Sequence, residues 1–171
     1  MSASMTLDMF EAPSTDEINP LRIYQAKCCR AIEEKLAVHR STLVLLATGG
    51  GKTRIAGEMI RKWHGKRCLF LAHRDELITQ AVNRIGELIG EPPEIEQGEL
   101  RASRFGSGPV VASVQSMSQT RRLHRFSQDD FDLIITDEVH HGPSATYRRI
   151  YDHFPAAKMI DPSQSRCATQ S

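Results

Sequence analysis

Six consecutive residues, Thr48-Gly49-Gly50-Gly51-Lys52-Thr53, carry the densest chemistry in this sequence. Three glycines in a row leave the backbone without Cβ atoms, so a polyphosphate can come within hydrogen-bond reach of successive N–H groups. Lys52 then adds a point charge at the β- and γ-phosphates, and the Thr53 hydroxyl is a ligand for Mg²⁺. This is P-loop spacing, with one departure: Leu46 stands where the general pattern places its first glycine. The bland alternative is a glycine-rich turn that binds nothing. Its context counts against that, because the apolar run TLVLLA at 42–47 precedes the glycines. Ile55, Ala56, Met59, Ile60 and Trp63 follow at helical spacing. Strand, turn and helix together set a helix N-terminus, with its partial positive charge, behind the phosphates.

A phosphate cradle needs a second metal-holding group on a neighbouring strand. FDLIITDEVHH at 131–141 is an apolar strand that ends in two carboxylates. Asp137 is placed to hold Mg²⁺ through water, and Glu138 to polarise the water that attacks the γ-phosphate, a general-base role. A solvated acidic turn is the alternative, and the cradle upstream argues against it. The two constellations together point to binding and hydrolysis of ATP with Mg²⁺.

The elements that must position these residues follow from periodicity. Residues 1–19 mix Ser, Thr, Pro and acids without a period and predict a disordered tail. From Pro20 a helix is expected, with Leu21, Tyr24, Cys28, Ile32 and Leu36 on its apolar stripe. RCLFLA at 67–72 predicts a strand, and Leu77 to Ile89 an amphipathic helix ended by Gly90 and Pro92. A loop-rich stretch over 91–108 holds a short strand at 94–97. PVVAS at 109–113 is a strand, followed by a polar helix near 115–125, a strand at 131–136 and a helix over 145–154. Strands alternating with helices predict an α/β fold, a mostly parallel sheet with helices on both faces.

Composition bounds the rest. With 171 residues, 40% apolar and 25% charged, one soluble domain is expected. Net charge is only +1, so any nucleic-acid contact must be a local patch. Cys28, Cys29, Cys68 and Cys167 form no CxxC pair and no zinc-like set, which predicts free thiols in a reducing compartment. No apolar run approaches a membrane span and no signal-like start is present, so no membrane partner and a cytoplasmic location are expected.

ATGGGKT together with DEVH resembles the first, ATP-binding lobe of the DEAD/DEAH-box helicase superfamily. The similarity is greatest to the branch holding restriction-enzyme helicase subunits and excision-repair helicases, where Leu46 is ordinary. It covers about residues 20–160 and implies a RecA-like P-loop NTPase domain acting on nucleic acid, with DNA favoured over RNA and the choice between them left open. LRIYQ at 21–25 is similar to the family's adenine-reading segment, which makes Gln25 the base contact with Arg22 beside it. FLAHRDELITQ at 70–80 and VVASVQSM at 110–117 look like the strand-contacting motifs and imply His73, Arg74, Gln115 and Ser116 on the nucleic-acid face. Ordinary loop polarity is the alternative for each of the four. His140 follows the family's DExH form and would couple the ATP site to a second lobe. RRLHR at 121–125 is either a further phosphate contact or a solvated face.

The resemblance also makes PAAKMI at 155–160 a strand lying between the P-loop strand and the DEVH strand. The polar residues 161–171 that follow are expected to be an unstructured tail. The second lobe, with its γ-phosphate arginines, is missing from the sequence. Three explanations stay open: a fragment, a frameshift near codon 160, or a one-lobe protein. The alternative function is therefore a non-catalytic nucleotide- or nucleic-acid-binding remnant, and the chain alone is expected to hydrolyse ATP poorly. Near the N-terminus, Thr6 to Phe10 resembles short peptides that dock on the bacterial sliding clamp, with Leu7, Met9 and Phe10 as apolar anchors.

Overall fold

The computed structural model describes residues 20–44, 51–63, 65–137 and 145–161. Thr48, Gly49, Gly50, Glu138, His140, the clamp-like peptide and the remainder of both end segments lie outside these described residues. The chain runs α1 (Ile23–Val38), β1 (Ser41–Leu43), α2 (Lys52–Lys62), β2 (Cys68–Ala72), α3 (Asp75–Ile89), β3 (Glu94–Glu96) and β4 (Val110–Ser113). It continues through α4 (Val114–Met117), α5 (Thr120–Leu123), β5 (Leu133–Thr136), α6 (Ala145–His153) and β6 (Lys158–Asp161).

The strands form one sheet in the order β1-β6-β5-β2-β4-β3, and all of these neighbours pair in parallel. CLFLA, VVAS and LIIT are buried at every position, which is why they are continuous apolar runs rather than alternating ones. Cys68, Phe70, Ala72, Leu133, Ile135 and Ile160 pack under α1, α2 and α3. Leu69, Leu71, Ile134 and Met159 face the opposite core under α4 and α6. Close contact between α2 and α3 depends on Gly57, where a Cβ would collide with Leu88. Parallel pairing also brings every strand's C-terminal end to one edge of the sheet, where ligands bind in folds of this kind.

Three local expectations change. First, α1 starts at Ile23 rather than Pro20, because the Arg22 N–H donates to Gln25 Oε1 (3.0 Å) and fixes the helix start there. Second, the helix expected near 115–125 is two short helices. Ser113 Oγ caps the first by accepting from the Ser116 N–H, and extended Gln119 starts the second. Third, RRLHR is not a basic face offered to phosphate. Arg122 Nη1 and Arg125 Nη1 each donate to the carboxylate of Glu96 at 3.0 Å, and Glu96 has no solvent exposure. The same carboxylate accepts from the Ala102 N–H (2.9 Å), so the break between α4 and α5 swings both arginines onto one buried acid.

Cys28, Cys29 and Cys68 are free thiols, and burial pushes Cys29 and Cys68 up to about 11 and about 12. Cys29 and Cys68 are core residues, and Cys28 packs against that core from its partly buried place on α1.

β6 lies between β1 and β5 and runs one residue past the expected end, because the Asp161 carbonyl accepts from the Val44 N–H (2.9 Å). Asp161 therefore belongs to the sheet rather than to a tail. Its Oδ1 is buried without a hydrogen-bond partner among the described residues, and burial raises its pKa. A raised acid favours the fold while it is protonated, and that contribution is lost as pH climbs through the folded-state pKa. Asp161→Asn is therefore expected to raise Tm near neutral pH by roughly 2–4 °C. The gain should shrink as pH falls toward the ordinary aspartate range. Melting curves at several pH values check this, and a variant that melts lower at neutral pH would refute it.

Candidate functional site

The lysine of the glycine run opens α2, directly after Gly51 in the left-handed conformation (φ +75°). A side chain there would also push the Gln25 amide aside, so the positive φ is the chief reason for glycine. The first hydrogen bond of α2 runs from the Ile55 N–H to the Gly51 carbonyl (3.0 Å). The N–H groups of residues 52–54 are thus left outside the helix ladder, at its positive end. Lys52 lines a small cavity together with Val44, Ile135 and Ile160. Its Nζ is buried and has no hydrogen-bond partner among the described residues. An ammonium in that state is costly, and a bound anion would compensate it. Thr53, partly exposed, sits one residue further along the same turn.

The acidic strand comes to the same place. Asp137 follows β5, is 7% exposed, and its N–H is held by the Leu71 carbonyl at 2.8 Å. By strand alternation it shares the face of Ile135, which lines the same small cavity as Lys52. Thr136 points the other way and shares a 2.6 Å hydrogen bond with the Tyr151 hydroxyl. Tyr151 is pushed up to about 12, chiefly by burial. This bond ties α6 to β5 beside the acidic box. Sequence reading missed it, because a tyrosine on a helical stripe looks like any core residue.

Gln25, expected as a base contact, is buried with its amide against Gly51, so the LRIYQ segment and the glycine turn meet. Arg22 is exposed at the start of α1.

The four residues implied for the nucleic-acid face divide three to one. His73 and Arg74 follow β2, Gln115 follows β4, and all three are exposed. Gln115 Nε2 donates to the His73 carbonyl (3.0 Å) and stands 3.4 Å from His73 Nδ1, which links the two segments. Ser116 is only 6% exposed, and the bond from its N–H to Ser113 Oγ turns it into the start of α4. Its side chain is not part of an exposed face.

Residues 18–163 match the family model described as the res subunit of type III restriction enzymes. A Schizosaccharomyces pombe protein, irc3, described as a mitochondrial ATP-dependent helicase, is 38% identical over 143 residues, covering 80% of this chain and 23% of its own length. The EcoAI type I restriction endonuclease subunit of Escherichia coli is 30% identical over 149 residues, covering 81% of this chain and 18% of its own. The helicase domain of Pyrococcus furiosus Hef superposes with a TM-score of 0.71 at 24% identity, covering 91% of this chain and 35% of that one. The chain thus spans less than a quarter of the length of these curated relatives. No described helix is long and apolar enough to cross a membrane. Because the family match takes in α1, the lysine helix, the acidic strand and β6 in one continuous stretch, this chain belongs to the type III restriction enzyme res-subunit family, built on a RecA-like α/β fold.

Proposed function

We propose that this chain is the ATP-binding lobe of a nucleic-acid-dependent ATP hydrolase of the helicase or translocase type, working on DNA. The observation that carries the reading is the buried Lys52 ammonium at the start of α2, which has no hydrogen-bond partner among the described residues, near the end of the strand that leads to Asp137. In this reading the N–H groups and Lys52 bind the triphosphate, and Gln25 with Arg22 lies beside the base. Thr53 and Asp137 are the oxygen ligands available to Mg²⁺, which when bound would neutralise charge on the β- and γ-phosphates. Glu138 takes the proton from the attacking water. His73, Arg74 and Gln115 offer an imidazole, a cation and an amide at one exposed edge, donors suited to a phosphate backbone. The names of the relatives, restriction subunits and helicases, support nucleic acid as the partner.

The test separates binding from turnover. Glu138→Gln should bind a fluorescent ATP analogue as the parent does and lose at least about a hundredfold in ATP turnover. The parent's turnover, slow by itself, should rise when single-stranded DNA is added. Turnover that is unaltered by Glu138→Gln and indifferent to DNA or RNA would dismiss the reading.

A further inference from the structure

At the N-terminal ends of β2 and β5, the sheet edge opposite Lys52, an open cleft of about 410 Å³ is lined by two segments of chain. One carries Arg104 and Phe105, the other Asp129, Asp130 and Asp132. Arg67 bridges them, donating from Nη1 to the Arg104 carbonyl (3.4 Å) and standing 3.9 Å from the Asp130 carboxylate. Phe105 is 92% exposed, although its segment is tied down on both sides. Arg67 Nη2 donates to the Ser103 carbonyl, the Ser103 N–H donates to the Glu94 carboxylate, and Arg104 Nε donates to the Arg125 carbonyl (3.0 Å). The Arg104 guanidinium stands 5.8 Å from the Phe105 ring. A single exposed apolar residue is common in itself. This one is held outward on a fixed backbone, so little ordering is left to be lost on binding.

We propose that this patch is an isologous contact with a second copy of the chain, in which the two Phe105 rings meet across a two-fold axis and each Arg104 faces the Asp129 of the second copy. A two-fold contact needs a patch that complements itself. Here an exposed ring lies beside a cation and an anion, and neither Arg104 nor Asp129 has an ion-pair partner among the described residues. Asp130, by contrast, is engaged by Arg67 and accepts from the Ser127 N–H (2.9 Å). A net charge of +1 leaves little long-range repulsion between copies. Single-stranded nucleic acid also stacks on exposed rings, but Asp129, Asp130 and Asp132 repel its phosphates. The contact leaves the Lys52 edge open, so it stands apart from the proposed ATP site.

Sedimentation equilibrium of the whole 171-residue chain should show monomer passing to dimer with a Kd of about 10–100 µM, the weakness expected of a small patch. Phe105→Ala should raise that Kd at least about tenfold. Arg104→Glu and Asp129→Lys should each weaken the dimer as well, because each sets like charges opposite one another. Combined in Arg104→Glu/Asp129→Lys, they should return the Kd to within about threefold of the parent's, since both pairs across the axis are again of opposite sign. An equimolar mixture of the two single variants should form dimers for the same reason. Circular dichroism should show unchanged folds, and the double variant keeps the test decisive where a single one disturbs the loop. A parent that stays monomeric up to about 1 mM, or a dimer indifferent to Phe105→Ala, would overturn the proposal. So would a double variant that associates no better than its singles. A Phe105→Ala chain of unaltered mass that binds a single-stranded oligonucleotide more weakly would also overturn it, in favour of nucleic acid.

Discussion

Lys52→Met is expected to weaken binding of an ATP analogue by about tenfold to a hundredfold while leaving the chain at least as stable as the parent. The two effects have opposite signs because Lys52 is placed for a ligand rather than for the fold. Its ammonium is buried without a hydrogen-bond partner among the described residues, and the side chain lines a small cavity with Val44, Ile135 and Ile160. A charge-assisted hydrogen bond to phosphate is worth about 1.5–3 kcal/mol, which sets the loss in affinity. Without phosphate the same ammonium is buried with no hydrogen bond among the described residues, a state that works against folding. Methionine keeps the apolar stem and removes the cation, so Tm should hold or rise. Fluorescence titration and a thermal melt on the same preparation measure both quantities. Unchanged affinity would remove Lys52 from the site. A Tm that drops by several degrees would show that the ammonium has a structural partner instead.

Glu96→Ala should destabilise the chain by about 3–5 kcal/mol, on the order of 10 °C in Tm. Glu96 is fully buried and holds Arg122 and Arg125 at 3.0 Å each, together with the Ala102 N–H. Removing it leaves the Arg122 guanidinium, itself nearly buried, without its counterion. The loss should be smaller in Glu96→Leu/Arg122→Leu, because apolar groups of similar volume replace both charges instead of stranding one. The stretch 97–108 between β3 and β4 should also become the first site of proteolysis in Glu96→Ala, since its anchors at Gly98 and Ala102 pass through these arginines. Denaturant or thermal unfolding of the single and double variants checks the order. A Glu96→Ala cost below about 1 kcal/mol would mean that the cluster is as weak as a surface ion pair.

Much of this protein is determined by residues adjacent in the chain. The phosphate cradle is legible because its glycines, lysine and threonine are consecutive, and backbone approach is a local requirement. CLFLA, VVAS and LIIT are legible because a strand buried on both faces has to be apolar throughout. The acidic pair is legible because it directly ends such a run. The place of β6 between β1 and β5 came from family resemblance alone, since residues such as Ser41 and Met159 meet far apart in sequence. Only the tertiary structure decided the rest. No pattern in RRLHR shows that two of its arginines converge on an acid 26 and 29 residues away, so a basic run and a buried ion cluster look the same in sequence. Ser116 sits among polar neighbours, yet the Ser113 cap turns it inward. Gln25 meets Gly51 and Thr136 meets Tyr151 because helices cross the sheet at angles that local propensity does not encode. The physical reason is common to all four. Burial and charge compensation depend on which distant atoms share a volume, and that is settled when the two cores close on the sheet.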